Sequence, residues 1–522
     1  MDVSLITTDT DAWALGLRGI SAVLKAAGHH TRLVFMKTHD ELYTKGNLEE
    51  VASLARHSDL IGVSCLSRGS IKAKQTIEYL RSQKKPIIWG GVHASLNPEE
   101  CAKYADIVCR GEGEGMILEL LERLALGRDW EDMENVAYKN NGSLRLNDLR
   151  PPIRDLDELP LPDFTFEDEY HLTAEGFVQV SAFPELQDDG RIILNSSRGC
   201  AFHCTYCCNA KIKALYPVKS RYVRRMSVSK LIEHAIILRK IFPLARSFYL
   251  IDEDFGARPY EELVQLSEEF SEKVGLPLEC QTHPARISHQ TMDLLVKAGL
   301  FKMRMGIESG SERTKREIYD RHEPNKVVKR AVEIISDYPQ VVPIYFFIIA
   351  NPYEERKDLI ATARFISELP QGCYIIEYNL VFFPGSYLFD RAVKDGLIEG
   401  KHDSGYDLDY LCGLDYGGHT WKSKNLYLNG LIFLMEGYCG RYRIGLLPRP
   451  FIKILLHPRL IEFNEKHRFA IQAIISIKLL GISVRHRGAW LVRRTVRRII
   501  RDPAVSFKFL SLLKTKVLHS HR

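Results

Sequence analysis

The 522-residue sequence lacks a long apolar run. Its two longest candidates, residues 341–350 and 470–480, are interrupted by Pro343 and by Gln472 and Lys478. Both are shorter than the roughly 18 residues that indicate a membrane-spanning helix. The N-terminus also lacks a basic region that leads into an apolar core, so no secretory signal is visible. We therefore expect a cytoplasmic protein.

The sequence also lacks the even number of cysteines that a complete disulfide framework requires. Four of its eleven cysteines fall within nine positions, at residues 200, 204, 207 and 208. Crowding of this kind is typical of a metal site in a reducing compartment rather than of disulfide bonds.

Acidic residues are scarce in the last hundred positions. Residues 421–522 contain 21 Lys and Arg against 4 Asp and Glu, whereas residues 1–420 contain 51 against 62. The chain therefore joins an acidic body to a basic C-terminal region.

The first 130 residues alternate short apolar runs with helical patterns. The patterns predict strands at 3–7, 31–35, 60–64, 86–89 and 106–109, and helices at 16–27, 70–81 and 115–126. Such alternation indicates a parallel sheet that helices cover on both faces, of the Rossmann-like (flavodoxin-like) type. Ligands of these sheets bind at the carboxyl ends of the strands.

Two glycine-rich turns follow the fourth and fifth of these strands. They are Gly90-Gly91-Val92-His93-Ala94-Ser95 and Arg110-Gly111-Glu112-Gly113-Glu114-Gly115. Glycine lets backbone amides approach a bulky ligand closely. Taken alone, each turn would more often be a purely structural one.

The alternation stops at residue 131 and resumes at residue 191. The proline-rich segments Pro151-Pro152 and Leu159-Pro160-Leu161-Pro162 cannot be helix or central strand, so we interpret this part of the chain as a connector. Beyond it, strands are predicted at 191–195, 247–252, 277–281, 301–307, 342–349 and 374–381. Six strand–helix units favour a partial TIM-type barrel with its chemistry on the C-terminal loops.

The loop after the first barrel strand reads Cys200-Ala201-Phe202-His203-Cys204-Thr205-Tyr206-Cys207. An iron–sulfur cube is held by four thiolates, so three of them leave one iron open for chemistry. A zinc site is the alternative, but it would need a fourth ligand, and the paired Cys-x-x-Cys knuckles of zinc sites are missing. Cys208 directly follows a ligand position, and we interpret it as a small packing residue.

The pattern Cys-x-x-x-Cys-x-aromatic-Cys, formed by Cys200, Cys204, Tyr206 and Cys207, resembles that of radical S-adenosylmethionine (SAM) enzymes. The resemblance implies that the three cysteines are catalytic metal ligands of a [4Fe-4S] cluster whose open iron binds SAM. It also implies that an electron from the cluster cleaves SAM to methionine and a deoxyadenosyl radical. The protein's share is to hold the cofactors and to exclude water and oxygen.

Further segments that resemble this family imply SAM contacts. The second barrel strand ends in Asp252-Glu253-Asp254, where the family places carboxylates beside the amino group of SAM. A cation beside carboxylates is electrostatically favourable, although a solvated acidic turn is the alternative. The resemblance also implies cofactor contacts from Tyr206, Arg286, Glu308 and Ser309.

The N-terminal half resembles the cobalamin-binding domain that precedes many radical SAM enzymes, through residues 61–64, 90–95 and 106–114. The resemblance implies cobalamin contacts at Ser64, Gly90, Gly91, His93, Ser95, Gly111, Glu112 and Gly113. Residues 8–16, which follow the first strand, contain no histidine. This implies a cobalt without a protein imidazole below it, and we interpret His93 as a residue beside the nucleotide tail or a packing residue.

Together these patterns predict an α/β protein with four segments. They are a Rossmann-like cobalamin-binding domain at residues 1–135, a linker at 136–190, a partial (β/α)6 radical SAM barrel at 191–400, and a basic, mostly α-helical region at 401–522.

The resemblance implies an enzyme of the class B radical SAM methylase type, which moves a methyl group from methylcobalamin to an unactivated carbon. Radical ring closure or rearrangement on the same architecture is the alternative. A non-enzymatic cobalamin or iron–sulfur protein is a third reading. The expected partner is a low-potential electron donor of the flavodoxin or ferredoxin type.

The basic C-terminal region allows three interpretations. Helical patterns at 469–482 and 490–500 carry apolar stripes, and the second places four arginines on one face. The region can be a helical cap with a solvated basic face, or a surface helix that binds anionic lipid headgroups. Nucleic-acid contact ranks third, because no RNA-binding module is visible, and we expect none. We hypothesise a hydrophobic small-molecule substrate, a lipid or natural product, and peripheral contact with the inner face of the membrane.

Overall fold

The structure, a computed structural model, describes residues 1–9, 11–38, 42–182, 190–217, 222–398 and 425–466. These residues form two compact units. The first contains residues 1–302, 319–321 and 381–398, and the second contains residues 303–318, 322–380 and 425–466. The first unit thus includes the predicted cobalamin-binding domain, the predicted linker and the first half of the predicted barrel.

A mostly parallel sheet forms the N-terminal part of the first unit. Its strands are β1 (Asp2–Thr7), β2 (His30–Phe35), β3 (Leu60–Ser64), β4 (Ile87–Gly90), β5 (Ile107–Cys109), β6 (Val136–Asn140), β7 (Ser143–Leu146), β8 (Glu169–Thr173) and β9 (Gly176–Gln179). They lie in the order β7-β6-β5-β4-β3-β1-β2-β8-β9. Strands β1 to β5 and β8 are parallel, whereas β6, β7 and β9 pair antiparallel.

Helices cover this sheet: α1 (Leu15–Ala26), α2 (Lys45–Ala55), α3 (Ser70–Leu80), α4 (Val92–Leu96), α5 (Pro98–Cys101) and α6 (Glu114–Ala125). Strand β1 is buried from Val3 to Thr7, as expected when both faces of a parallel sheet are covered. Helix α1 buries Leu17, Ser21 and Leu24, whose spacing places them on one face. The five predicted strands and three predicted helices of this region are confirmed to within one residue at each end.

The predicted linker at 136–190 is wrong over much of its length. The β6–β7 hairpin extends the sheet beyond β5, and the β8–β9 hairpin extends it beyond β2. The proline segments at 151–152 and 160–162 do lie outside strands and helices, as expected. Edge strands are short and partly polar, which is why their sequences carry little apolar alternation.

A buried ion pair fixes the second of these hairpins to α1. The Arg18 guanidinium is 2.7 Å from the Glu169 carboxylate at the start of β8, and both side chains are almost fully buried. Arg18 also donates a hydrogen bond of 2.7 Å to the backbone oxygen of Asp163, and it lies over the rings of Phe35 and Phe164. The hairpin is therefore an integral part of the N-terminal sheet.

The first unit continues with the cysteine loop and the first barrel strands. These are β10 (Arg191–Leu194), the short pair β11 (Ser197–Arg198) and β12 (Arg224–Arg225), β13 (Ser247–Leu250) and β14 (Leu278–Gln281). The helices are α7 (Cys208–Leu215), α8 (Val228–Ile241), α9 (Tyr260–Lys273) and α10 (His289–Lys297). Strand β10 pairs parallel with β13, and β13 pairs parallel with β14, as a barrel requires.

The barrel pattern continues into the second unit through β15 (Leu300–Glu308), which begins in the first unit. The following elements are α11 (Asn325–Ser336), β16 (Val342–Ile349), α12 (Arg356–Glu368), β17 (Cys373–Asn379) and α13 (Tyr387–Lys394), the last of which belongs to the first unit. Strands β16 and β17 are parallel over six residue pairs. All six predicted barrel strands are therefore confirmed, with ends that shift by at most two residues.

The described C-terminal residues 425–466 contain both helices and strands. They form α14 (Leu426–Met435), the short strands β18 (Gly437–Cys439), β19 (Arg443–Ile444) and β20 (Leu447–Pro448), then α15 (Arg449–Leu455) and α16 (Pro458–Lys466). The three strands continue antiparallel from β17 and add a small β-sheet extension to a region that was expected to be mostly α-helical. Most of the predicted basic region, including the helical patterns at 469–482 and 490–500, lies outside the described residues.

None of the helices in the described ranges has the length and apolar character needed to cross a membrane.

The Arg18–Glu169 pair gives a stability prediction. We expect Arg18→Met to lower the free energy of unfolding by about 3–5 kcal/mol, because it removes the guanidinium from the buried Glu169 carboxylate and leaves it with the His171 ring, 2.7 Å away. Arg32→Met is the matched control, since Arg32 pairs with the neighbouring Asp168 at 3.0 Å in a partly exposed position. Its cost should stay within about 1 kcal/mol. Urea unfolding of the full chain measures both, and equal losses would contradict this role of the buried pair.

Candidate cofactor site

A cavity of about 350 Å³ opens at the carboxyl ends of β3, β4 and β5 in the first unit. The carboxyl ends of β10 and β13 border it from the other side, through Asn195 and Ile251. The predicted cofactor-binding residues that line it are Ser64, Gly90, Gly91, Ser95, Gly111, Glu112, Gly113 and Glu253. The structure thus brings both glycine turns together with the start of the barrel.

The two glycine turns form a cradle that larger residues would fill. Gly91 and Gly111 have φ of +93° and +77°, in the region that favours glycine. A Cβ at Gly91 would lie 2.8 Å from the Ser64 hydroxyl oxygen, and one at Gly111 would lie 2.6 Å from the Tyr216 hydroxyl oxygen. The Ser95 hydroxyl joins the turns, because it donates to the Gly91 carbonyl and accepts from the Gly111 amide.

The rest of the cradle is apolar. Its walls come from one residue of β1, two of α1, one each of β3 and β4, and two of α6: Leu5, Leu17, Ile20, Val63, Ile88, Met116 and Ile117. Apolar walls with a small number of polar groups are typical of a pocket for a large organic cofactor. Glycine turns and apolar walls fit the flat face of a corrin.

His93 does not line this cavity. Its side chain is buried, its Nδ1 lies 3.1 Å from the Ser67 hydroxyl, and its Nε2 lies 3.2 Å from the Glu100 carboxylate. The ring also packs on Trp89. The structure thus places His93 in a packed position outside the lining of the cavity, and cofactor binding by its side chain stays a prediction.

Four charged residues form one wall of the cavity and tie the sheet to the strand pair β11–β12. Arg198 donates to Glu114 at 2.6 Å, and Arg224 donates to Glu112 at 2.8 Å. Glu112 also accepts a hydrogen bond of 2.7 Å from the amide of Ile153. The Glu112 carboxylate, predicted as a cofactor contact, is therefore already engaged, although the residue lines the cavity.

The cysteine loop follows directly from this wall. Gly199, with φ +87°, begins the loop at a point where an added Cβ would lie 2.3 Å from the Tyr222 carbonyl oxygen. The loop is held by hydrogen bonds from the Thr205 amide to the Tyr319 carbonyl and from the Cys207 amide to the Cys204 carbonyl. Glycine is thus required where the chain turns away from β11.

Cys200, Cys204, Cys207 and Cys208 are all partly exposed. Burial raises the pKa of the Cys200 thiol to about 12. The hydrogen bond between Cys207 and Cys208, together with burial, raises the pKa of Cys207, whereas the same hydrogen bond lowers that of Cys208. Metal binding by these thiols would therefore release protons.

Within the described ranges, no three His, Cys, Asp or Glu side chains converge to hold a single metal ion. The thiolates of an iron–sulfur cube bind different irons and need not converge on one point. The three-plus-two spacing and the partial exposure of the thiols fit a cube that keeps one iron open. The ligand roles of Cys200, Cys204 and Cys207 stay a prediction.

The three carboxylates at the end of β13 have different environments. Asp252 is buried and accepts from the amides of Ser196 and Ser197 at 2.6 and 2.9 Å. Asp254 accepts from the amide of His283 and from the Arg286 guanidinium, both at 3.1 Å. Two of the predicted SAM contacts, Asp252 and Asp254, thus connect barrel loops, and Arg286, a third, is the ion partner of Asp254.

Glu253, between them, lines the cavity. Burial raises the pKa of its carboxyl group, while a hydrogen bond with Asn209 lowers it. A cavity-facing carboxyl group with a raised pKa is a candidate functional group. Of the acidic cluster, Glu253 is therefore the residue best placed to contact a ligand.

The remaining predicted contacts lie elsewhere. The Tyr206 hydroxyl accepts a hydrogen bond of 3.3 Å from Arg321, and its ring packs edge-on against Tyr319. In the second unit, Glu308 has φ +68°, an uncommon conformation for this residue type. Ser309 is fully buried, and its hydroxyl donates to the Glu354 carboxylate at 3.2 Å, where burial raises the pKa of Glu354 to about 8.

Sequence reasoning missed several cavity residues. Tyr216 and Tyr222 follow the cysteine loop and line the cavity, and Tyr216 also lies against Gly111. Arg198 and Arg224 come from the short pair β11–β12. Arg198 could have been predicted, because residues 195–199 join a predicted strand to the cysteine loop. A two-residue strand leaves no readable periodicity, so β12 could not be found.

Comparison with known proteins gives two matches on the same chain. Residues 1–121 match the B12 binding domain, and residues 194–366 match the Radical SAM superfamily. The chain is a radical SAM enzyme with an N-terminal B12-binding domain. Its cofactors are a [4Fe-4S] cluster, SAM and cobalamin. The N-terminal sheet and the cysteine loop described above fall within the two matched regions.

This radical SAM enzyme is 24% identical over 358 residues to an uncharacterised methyltransferase of Pyrococcus horikoshii, a match that covers 65% of the chain and 70% of the relative. It is 22% identical over 350 residues to the anaerobic magnesium-protoporphyrin IX monomethyl ester cyclase of Rubrivivax gelatinosus, with 65% of the chain and 58% of the cyclase covered. The chain thus spans less than two thirds of the cyclase.

Its fold is similar to that of a solved radical SAM methyltransferase, TsrM from Kitasatospora setae with cobalamin and a [4Fe-4S] cluster bound. The TM-score is 0.60 at 15% sequence identity, and the match covers 76% of the chain and 78% of that protein. The predicted fold class, a Rossmann-like domain followed by a radical SAM barrel, is confirmed.

The Gly111 turn gives a binding prediction. Gly111→Ala should weaken cobalamin binding by about tenfold or more, because its methyl group collides with the Tyr216 hydroxyl and the turn must move. Gly127→Ala is the matched control: Gly127 also has a positive φ, +63°, but no atom lies within 4 Å of an added Cβ. Spectrophotometric titration with cobalamin measures both variants.

The double variant Gly111→Ala with Tyr216→Phe should recover part of the lost affinity, since it removes the colliding oxygen. Equal affinities for Gly111→Ala and Gly127→Ala would show that the cradle does not hold the cofactor.

Proposed function

We propose that the enzyme transfers a methyl group to an unactivated carbon of a hydrophobic small molecule. The observation that carries this proposal is that the cavity with the glycine cradle borders the cysteine loop, through residues 197–199, within one unit. Similarity to a methyltransferase sequence and to a methyltransferase fold supports it. The combination of B12-binding and radical SAM domains provides the cofactors that such a reaction needs.

In this proposal Cys200, Cys204 and Cys207 hold the cluster, and the cradle of the N-terminal sheet holds cobalamin. When bound, the cluster supplies an electron that cleaves SAM, and cobalamin supplies the methyl group. The glycine turns let the backbone approach the corrin closely. Apolar walls from β1, α1 and α6 exclude water, which protects reactive species from side reactions.

The electron donor is proposed to be of the flavodoxin or ferredoxin type. Lys213 lies beside the cysteine loop, where its ammonium donates to the Ala201 carbonyl at 3.1 Å. An exposed cation at this place favours the approach of an acidic donor by electrostatic steering.

Radical ring closure is the second candidate function, because the chain is also similar to a cyclase. The products separate the two. Methyl transfer forms S-adenosylhomocysteine together with 5′-deoxyadenosine, whereas cyclisation forms 5′-deoxyadenosine alone. A non-enzymatic carrier would bind the cofactors and form neither product.

The hydrophobic substrate and the peripheral membrane contact rest on the surface of residues 441–463. Large apolar side chains there are more than half exposed: Tyr442, Leu446, Phe451, Ile454 and Phe463. Cationic residues are interspersed with them: Arg441, Arg443, Lys453 and Arg459. Aromatic residues mixed with cations are typical of surfaces that lie in the headgroup region of anionic membranes. We propose that this surface contacts such a membrane.

Single-cysteine variants test the ligand assignment. Cys207→Ala should lose the cluster's visible absorbance, most of its iron and SAM cleavage, because a cube with two protein thiolates is poorly held. Cys208→Ala is the matched control and should keep them, although its thiol is hydrogen-bonded to that of Cys207. Iron analysis and 5′-deoxyadenosine formation after anaerobic reconstitution give the answer. Loss of the cluster in Cys208→Ala with retention in Cys207→Ala would reverse the assignment.

Liposome flotation tests the membrane contact separately. The wild-type protein should float with vesicles that contain phosphatidylglycerol. The double variant Phe451→Ser with Phe463→Ser should lower the bound fraction about tenfold or more. Both side chains are exposed in the protein, and each should contribute roughly 1.5–3 kcal/mol to binding when the membrane buries it. Leu244→Ser, at an exposed leucine of the first unit, is the control and should float normally. A wild-type protein that stays at the bottom of the gradient would contradict this contact and leave the methyl-transfer proposal intact.

A further inference from the structure

Two cysteines outside the cofactor site face each other in the second unit. Cys373 begins β17 and Cys439 ends β18, and they are directly opposed in the antiparallel pairing of these strands. Opposed residues of antiparallel strands have Cα atoms about 4.5–5.5 Å apart, within the roughly 4.4–6.8 Å that a disulfide bond spans. Both are free thiols and both are fully buried. Their register in the strand pairing is therefore compatible with a disulfide bond.

A single arginine distinguishes the two thiols. The Arg449 guanidinium donates a hydrogen bond of 2.8 Å to the Cys439 sulfur. Its other hydrogen bonds go to neutral carbonyl oxygens, those of Gly440, Ser367 and Leu369. The positive charge of Arg449 is therefore directed at Cys439, which suits a thiolate.

The electrostatics of the pair agree with this geometry. The hydrogen bond from Cys373 lowers the pKa of Cys439, and the charge of Arg449 lowers it further. The same hydrogen bond, together with burial, raises the pKa of Cys373. One thiol is thus prepared to attack, while the other keeps its proton.

Tyr345 adds a proton donor beside the pair. It lies in β16, is fully buried, and its hydroxyl has no hydrogen-bond partner among the described residues. Burial and the proximity of both thiols raise its pKa, so the hydroxyl stays protonated. A buried hydroxyl without a partner is costly, and it needs a role or an occasional acceptor.

We propose that Cys373 and Cys439 form a redox-active dithiol that closes to a disulfide between β17 and β18 when the protein meets a peroxide. The Cys439 thiol loses its proton to solvent, the thiolate attacks one oxygen of hydrogen peroxide, and the O–O bond breaks as the sulfenic acid forms. The hydroxide that leaves takes up a proton equivalent to the one that Cys439 lost and becomes water. The Cys373 sulfur then attacks the Cys439 sulfur, an S–S bond forms, and the hydroxyl leaves with the Cys373 proton as water. Two thiol groups are oxidised by two electrons, and one peroxide is reduced to two waters.

The burial of both sulfurs selects the oxidant. Small peroxides reach a fully buried thiol when the short β18 strand opens locally, whereas bulky disulfides do not. The consequence of oxidation is a covalent link between residues 437–439 and the sixth barrel strand. This inference is independent of the proposed methyl transfer, because none of its residues lies in the cofactor site.

Peptide mapping tests the proposal. The anaerobically reconstituted enzyme is treated with one equivalent of hydrogen peroxide, denatured, alkylated and digested. We expect a peptide pair that is linked through Cys373 and Cys439, 2 Da lighter than the two reduced peptides, which dithiothreitol separates. Cys101 and Cys280, equally buried, are internal controls and should remain alkylated. Oxidation of the cysteines at 200–208 is measured separately, on the peptide that contains them.

Variants distinguish the thiol that attacks the peroxide, Cys439, from the thiol that closes the disulfide, Cys373. Cys373→Ser should accumulate a sulfenic acid at Cys439 that dimedone traps, whereas Cys439→Ser should leave Cys373 reduced. Arg449→Gln should slow linkage about tenfold or more as the thiolate fraction falls, with an unchanged circular dichroism spectrum as the check on folding. The absence of a linked peptide, a rate equal to that of Cys101, or a bond that is already closed and resists dithiothreitol would overturn the proposal.

Discussion

Four charged side chains hold the carboxyl edge of the N-terminal sheet against the cysteine loop. Glu112 and Glu114, in the turn after β5, pair with Arg224 and Arg198, which flank that loop. Glu114 and Arg224 are nearly buried, so the loss of either partner would leave a desolvated charge. These pairs connect the turn after β5 to the strands on either side of the cysteine loop, and they therefore join the two sides of the cavity.

The sequence was sufficient to locate the strands and helices that have a clear hydrophobic pattern. Strands β1, β3 and β4 and the barrel strands could be placed because their apolar runs lie between turn residues. The hairpin β8–β9 was not found, since its place in the sheet is specified by the distant Arg18, which no local pattern reveals. Tertiary contacts decide the position of such edge strands.

The sequence predicts which loops form the site, but it does not predict which side chains of those loops face the cavity. Asp252, Glu253 and Asp254 look alike in sequence, yet only Glu253 lines the cavity, while its neighbours bind the amides of Ser197 and His283. Consecutive residues at a strand end point in different directions, so a motif locates a group without assigning its partner. His93 shows the same limit, because Glu100 and Ser67 hold its ring away from the cavity.

Electron paramagnetic resonance tests the central claim, that one cavity brings cobalamin beside the cluster. The reconstituted enzyme is poised with cobalamin as Co(II), and its signal is recorded with the cluster oxidised and then reduced. We predict that cluster reduction broadens the Co(II) signal and speeds its relaxation, and that Cys207→Ala abolishes the effect. A Co(II) signal that is identical with and without the reduced cluster would contradict the shared cavity.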